Sequence, residues 1–275
     1  MLNLGIVVAE AVAGVIGNST ALFADASHNL SDVLGLALAG GAVWLARRPP
    51  DAKRTYGLGK ATVFAALING LLLVFASGAI VWEAIRRFIE PAPVQSNIVM
   101  ITAGLGVVIN GATALMFMRG RESDANVRGA FLHMAADALI SVGVIISGLL
   151  VLLTGATWID PAASIAIVIV ILWGTFGLLR EATDMALDAA PRTVDVDKVR
   201  AYLCSQPGVA EIHDLHIWAM GASTSAMTAH LVMPDVADND AFLQRLCKTM
   251  DKKFGIEHAT FQIERHTFDC HPDHH

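Results

Sequence analysis

The chain has 275 residues, of which 55% are hydrophobic and only 16% charged, with a positive mean hydropathy, and this sets it apart from an average soluble domain. A net charge of −6 at pH 7 excludes nucleic acid as the main partner. Cys204, Cys247 and Cys270 all lie in the last third without CxxC spacing, which fits a reducing compartment and no disulfide framework.

Six apolar segments, each near the length of about 20 residues that a membrane span needs, are expected in chain order. The first, Leu2–Ile16, is short for a span. No basic stretch precedes it, so no cleaved signal peptide is expected. Its Glu10 reads as a carboxylate facing the bundle interior or a vestibule. The second runs from Ala21 to Ala46 and is followed by a basic loop, RRPPDAKRTYGLGK, with a Pro-Pro stop. The third spans Ala61–Phe88 and ends at Glu90-Pro91, and the fourth spans Ile98–Met118. A second basic loop, Arg119–Arg128, leads to the fifth, Gly129–Leu153. The sixth opens at Ile159-Asp160-Pro161 and ends near Leu179.

Orientation follows from the basic loops. Arg47, Arg48, Lys53, Arg54, Lys60, Arg119, Arg121 and Arg128 lie on one face, against Arg86 and Arg87 on the other. Both termini are therefore expected in the cytoplasm, with Gly17–Thr20 and Gly155–Thr157 facing outward. After Ala189-Ala190-Pro191 the pattern changes, which divides the chain into a transmembrane domain, 1–189, and a cytoplasmic domain, 190–275. Val194–Ser205 has helical spacing, Val209–Ala219 and Ser223–Met233 alternate as strands, Ala241–Phe254 is an amphipathic helix, and Ala259–Glu264 is a last strand. The expected fold class is an all-α six-helix membrane bundle plus a small α+β domain of order αββαβ. A polar His-rich tail, HTFDCHPDHH, closes the chain.

Two of the apolar segments each carry a His followed four residues later by an Asp: His28 with Asp32, and His133 with Asp137. Residues four apart share a helix face, so each pair offers one imidazole nitrogen and one carboxylate oxygen to a common point. Ionisable residues inside a membrane cost about 2.5–3.5 kcal/mol each on insertion scales and mark function by default. Two pairs on two helices supply the N2O2 donor set of a tetrahedral Zn²⁺ site. The donors accept Zn²⁺, and also Cd²⁺ or Co²⁺, and disfavour Cu(I). Because the ligands must be deprotonated, metal and protons compete for the site. A site that opens alternately to each side then gives antiport.

The stretches ALFADASHNLSDVLGLALA, RRPPDAKRTYGLGKA, the second HxxxD, WIDPAASIAI and EIHDLHIWAM resemble the cation diffusion facilitators, in particular the bacterial cobalt–zinc–cadmium resistance branch. The resemblance implies six transmembrane helices, a metallochaperone-like cytoplasmic domain, a homodimer in a bacterial inner membrane, and exchange of Zn²⁺ for protons. It places the transport site on His28, Asp32, His133 and Asp137. A second, histidine-built site in the loop after the second helix is not expected, because Arg54 and Leu58 stand where its histidines would be. The resemblance also implies a cytoplasmic metal site on His213, His230 and Glu264, and an ion pair between Lys60 and Asp188. His216, three residues beyond His213, is expected on the opposite strand face. In the tail, His266, Cys270 and His271 are the remaining candidates. Two other classes use the same donors: an intramembrane metalloenzyme, which needs an open coordination position and a nearby base, with Asp25 the nearest candidate, and a membrane metal sensor.

Overall fold

A computed structural model describes residues 2–118, 125–235 and 240–267. Six helices come first: α1 (Leu2–Ile16), α2 (Thr20–Ala46), α3 (Ala61–Ile89), α4 (Ser96–Phe117), α5 (Ala125–Thr154) and α6 (Ile159–Ala186). Five of them, α2 to α6, are long and apolar enough to cross a membrane. At 15 residues, α1 reaches only about 22 Å at 1.5 Å per residue, short of a bilayer's hydrocarbon core. The breaks fall where the sequence puts turn chemistry: Asn18 has φ 52° between α1 and α2, and Gly155 has φ 69° between α5 and α6. The last helix continues to Ala186, past the expected end at Leu179, because Arg180, Glu181 and Asp184 suit an exposed helical extension as well as a loop.

The chain divides into two compact units, Met1–Leu38 with Ile68–Leu179, and Ala39–Leu67 with Arg180–His275. The first unit is a helical bundle. Ala21, Leu22 and Ala24 of α2 pack with Val99 and Ala103 of α4, Val144 of α5 and Val168 of α6. One buried group fixes the start of α2: the Asp160 carboxylate, from α6, accepts hydrogen bonds from Ser19 Oγ, from Thr20 Oγ1 at 2.7 Å and from the Thr20 backbone N–H at 2.7 Å.

In the second unit come α7 (Val196–Cys204), β1 (Glu211–Ala219), β2 (Ser225–Val232), α8 (Asp240–Phe254) and β3 (His258–Glu264), the αββαβ order. The sheet order is β1-β2-β3, with β1 antiparallel and β3 parallel to β2. Val199 and Leu203 of α7, and Phe242, Leu246 and Met250 of α8, cover one sheet face and meet Ile212, Ile217, Met227, Ala229 and Leu231. Each such side chain contributes about 1.5–3 kcal/mol on burial. The other face is polar.

A β-bulge interrupts β1 between His213 and His216. His213 pairs with His230 and His216 pairs with Thr228, so two residues on β1, Asp214 and Leu215, oppose one on β2, Ala229. Directly paired residues share a face. The bulge therefore overturns the expectation for His216, which lies on the same face as His213. It also lets Ile212 and Ile217, five residues apart, both face the core. Asp214, inside the bulge, has φ 48°, a conformation Asp tolerates better than most residues.

Candidate metal sites

The first cluster lies in the helical unit, where α2 and α5 bring the two HxxxD pairs together. His28 Nε2 is 3.8 Å from Asp32 Oδ2 and 3.5 Å from Asp137 Oδ1, while His133 Nε2 is 3.3 Å from Asp32 Oδ2 and 3.7 Å from Asp137 Oδ2. The four side chains form a ring in which imidazole and carboxylate alternate. The shortest edges cross between helices, so each His faces the Asp of the other helix. A tetrahedral ion with bonds of about 2.0–2.2 Å has ligand–ligand edges of about 3.3–3.6 Å, close to the spacing found. His28, Asp32 and Asp137 present ligand atoms that all lie within 4.8 Å of one another, while His133 approaches both carboxylates but stands outside that group of three. Asp32 Oδ2 and Asp137 Oδ1 are buried and accept no hydrogen bond, an arrangement costly for a carboxylate unless a cation or proton fills it.

The ring borders a pocket on the side of His133. Asp137 is 3% exposed but His133 is 46% exposed. Asp32, His133 and Asp137 line a pocket of about 80 Å³ together with Ile6, Val7, Asn29, Val33, Leu36, Asn110 and Met134. These residues lie toward the starts of α1 and α5. On the other side Ala21, Leu22, Ala24, Val99, Ala103 and Val144 close the bundle. The enzyme reading needs a base at an open coordination position, yet Asp25 is fully buried and accepts a hydrogen bond from Ser141 Oγ at 2.9 Å.

The second cluster is on the polar face of the sheet. Register places His213 beside His230, and Val232 beside Glu264. His213 Nε2 and Glu264 Oε2 hydrogen-bond at 2.9 Å. His230 Nδ1 lies 2.9 Å from Glu264 Oε1 and 3.7 Å from Asp214 Oδ2. This Nδ1 is buried and makes no hydrogen bond. Burial pushes the Glu264 carboxyl up, but hydrogen bonds from His213 and Gln262 outweigh it and hold the group below its ordinary value of 4.5. Asp214 joins His213 and His230 as a third possible ligand with atoms within 4.8 Å, a residue that strand alternation alone does not point to. The signal for it was in the sequence: in EIHDLHIWA the spacing from Ile212 to Leu215 breaks the alternation, and Asp214 sits at the break.

Lys60 and Asp188 meet as an ion pair through Nζ and Oδ1, both partly exposed. In the loop after α2, Asp51 accepts from the backbone of Lys53 and Arg54 and pairs with the Arg54 side chain at 3.1 Å. His266 is exposed. Cys270 and His271, like Arg119 and Arg121, lie outside the described residues.

Apolar helices that enclose a ring of His and Asp, followed by a small α+β domain, define a membrane protein of the cation-transport class. The chain belongs to the cation efflux family, the cation diffusion facilitators: residues 1–185 match the family's "Cation efflux transmembrane domain" and residues 191–266 its "Cation efflux protein, cytoplasmic domain". It is 38% identical over 259 residues to the cation efflux system protein CzcD of Alcaligenes sp. strain CT14, covering 94% of this chain and 82% of that one. It is 36% identical over 275 residues to the zinc transporter ZitB of Escherichia coli K12, covering 98% and 88%. It is also 33% identical over 265 residues to the cadmium, cobalt and zinc/H(+)-K(+) antiporter of Bacillus subtilis strain 168, covering 94% and 85%. A solved structure, the metal-bound C-terminal domain of the CzcD transporter from Cuprividus metallidurans, is 38% identical over 26% of this chain and 99% of that chain, with a TM-score of 0.24. The family is one of transporters, not enzymes.

Proposed function

We propose that this protein exports Zn²⁺, and by donor chemistry also Cd²⁺ or Co²⁺, from the cytoplasm in exchange for protons. The ring of His28, Asp32, His133 and Asp137 carries the reading: its spacing suits one tetrahedral dication. Relatives named as zinc transporters, and as an antiporter that uses H⁺, support both cargo and counter-ion. Metal enters from the pocket on the ring's open side. The packed layer of Ala21, Leu22, Ala24, Val99, Ala103 and Val144 blocks the exit until the bundle rearranges. Protons then displace the metal, because the same lone pairs bind either.

In this reading all six N-terminal helices belong to a transmembrane domain of residues 1–189, with α1 completing the bundle, and residues 190–275 form a cytoplasmic domain that pairs with a second copy. Positive charge sets the open side inward. Arg86 and Arg87, the two basic residues expected outside, support it: Glu83 pairs with both, and Arg87 also donates to Asn18 Oδ1 at 2.7 Å. His213, His230 and Glu264, joined by Asp214, hold a cytoplasmic metal that favours one arrangement of the dimer. Lys60 and Asp188 tie the loop before α3 to the segment after α6.

The test is zinc flux into sealed liposomes under an imposed pH gradient. Asp32→Ala and Asp137→Ala should each abolish flux while the protein stays folded and dimeric. Flux close to wild type in either variant would overturn the site assignment.

A further inference from the structure

One turn from the ring, on the side away from the pocket that Asp32 and His133 line, lie two carboxyl groups that the ring does not use. Glu10 on α1 and Asp25 on α2 are both fully buried. Asn29 Nδ2 donates to Glu10 Oε2 at 2.8 Å, and Ser141 Oγ donates to Asp25 Oδ2 at 2.9 Å. The other oxygen of each group, Glu10 Oε1 and Asp25 Oδ1, is buried and accepts nothing. Gly106 on α4 shows how these groups converge. A Cβ there would lie 2.8 Å from Glu10 Oε1 and 3.0 Å from Ser141 Oγ, so the two oxygens press on one point of α4. Ser141 then hands on to Asp25. The absent side chain at Gly106 is what leaves room for them.

The layering is consistent on all four helices. Glu10 follows the pocket residues Ile6 and Val7, Asp25 precedes His28 by three residues, Ser141 follows Asp137 by four, and Gly106 precedes Asn110 by four. Among the described residues no Lys or Arg pairs with either carboxyl. The rest of α1 carries no charge, and α4 none at all. On α6, Asp160 is committed to Ser19 and Thr20, and on α3, Glu83 is paired with Arg86 and Arg87. The ionisable groups that face the pair are His28 on α2 and Asp137 on α5. Two bare carboxylates in an apolar bundle with no cation are strongly disfavoured. A proton on one of them removes a charge and turns an unpartnered acceptor into a donor.

We propose that Glu10, supported by Asp25, Asn29 and Ser141, is a proton-holding station separate from the metal-binding ring, and that it carries a counter-transported proton between the two sides of the membrane. The proposal rests on the antiport reading above. A proton taken from outer water onto a Glu10 oxygen, when the bundle opens outward, is released to water in the inner pocket. Asn29, which touches Glu10, lines that pocket. The carboxylate left behind accepts the next proton.

The test separates two fluxes in liposomes: zinc-for-zinc exchange at equal pH on both sides, which needs no proton movement, and net zinc transport driven by a pH difference. Glu10→Gln keeps the volume and an acceptor for Asn29 but cannot ionise. We expect it to retain zinc exchange and equilibrium zinc binding, and to lose pH-driven transport by about 100-fold, the usual cost of deleting a proton-transfer group. Asp25→Asn should fall in the same direction. Unchanged pH-driven transport in Glu10→Gln overturns the proposal, and so does parallel loss of both fluxes with zinc binding intact. If Glu10→Gln does not fold, Ser141→Ala, which leaves both carboxyls in place, must lower the ratio of pH-driven to exchange flux, and an unchanged ratio refutes the station. A wild-type protein that moves no zinc would instead sink the transport reading itself.

Discussion

Asp160→Ala tests whether α2, which carries His28 and Asp32, is held at the right height by a single group on α6. The carboxylate is buried, and its three donors, Ser19 Oγ, Thr20 Oγ1 and the Thr20 N–H, are nearly inaccessible to water. Ser19 Oγ in turn accepts from the Leu22 N–H at 3.1 Å, so the network serves the free N–H groups of the first turn of α2 as a cap does. An anion there also suits the positive end of the helix dipole. Removing it leaves three buried donors without an acceptor, at about 1–3 kcal/mol each. Water entering the space that the side chain vacates recovers part of this, which leaves a net loss of about 3–5 kcal/mol, the range for breaking one side of a buried charged contact. At about 1.4 kcal/mol per tenfold, the unfolding equilibrium shifts by at least about 100-fold. The assay is denaturation of the purified protein in detergent followed by circular dichroism, with Asp160→Asn as an intermediate case because its amide oxygen still accepts. A loss below about 0.5 kcal/mol for Asp160→Ala, the scatter of neutral substitutions, would refute the claim that this carboxylate fixes α2.

Replacing His28 by Asp gives the ring three carboxylates and should relax discrimination against harder or larger ions such as Mn²⁺ or Cd²⁺; an unchanged metal ranking in competition flux would place selectivity elsewhere. The double variant His213→Ala/His230→Ala should shift the half-saturating zinc concentration or the rate by about 5–150-fold without abolishing flux, and a variant as inactive as Asp137→Ala yet still dimeric would contradict a purely modulatory role. Asp195 caps α7, accepting from the Lys198 N–H at 3.1 Å, and that bond is the main reason its carboxyl lies below the ordinary 3.8. Because the folded value is the lower one, the unfolded chain binds more protons between the two values. The cap's contribution is therefore complete above 3.8 and is lost as pH falls through the folded value. Hydrogen exchange of α7 amides in Asp195→Ala should be faster than in wild type above pH 3.8, and the difference should vanish in stronger acid; a difference independent of pH would exclude the carboxylate as its source.

Much of this was legible from spacing alone. The HxxxD pairs had to lie on helix faces, and apolar surroundings made them costly enough to imply a purpose, so the four donors could be named before their geometry was known. The loop breaks at Pro49-Pro50 and Glu90-Pro91 were equally plain. The length of α6 was not, since Arg180 and Glu181 follow a helix or a loop with equal ease and only packing decides. Glu10 was visible as an oddity in an apolar segment, but its convergence with Ser141 over Gly106 depends on three helices meeting, which no local pattern encodes. The place of His216 is hidden from the sequence because the register shift in β1 interrupts the period of two between His213 and His216.

The irregularity in β1 makes chain length, rather than side-chain identity, the quantity held fixed there. Asp214→Gly keeps the extra residue and suits its positive φ, so the bulge should persist while the carboxylate near His230 is lost. Deleting Asp214 would restore regular pairing, yet every position on one side of the cut would change faces. Either Ile217 and Ala219 leave the core or His213 turns into it. The first alternative alone forfeits about 1.5–3 kcal/mol at Ile217, and the second removes the histidine from its neighbours His230 and Glu264. An alignment gap at this point would thus signal a cytoplasmic domain with a different core or without its metal donors, whereas a change to Gly or Asn would leave the extra residue and its positive φ in place.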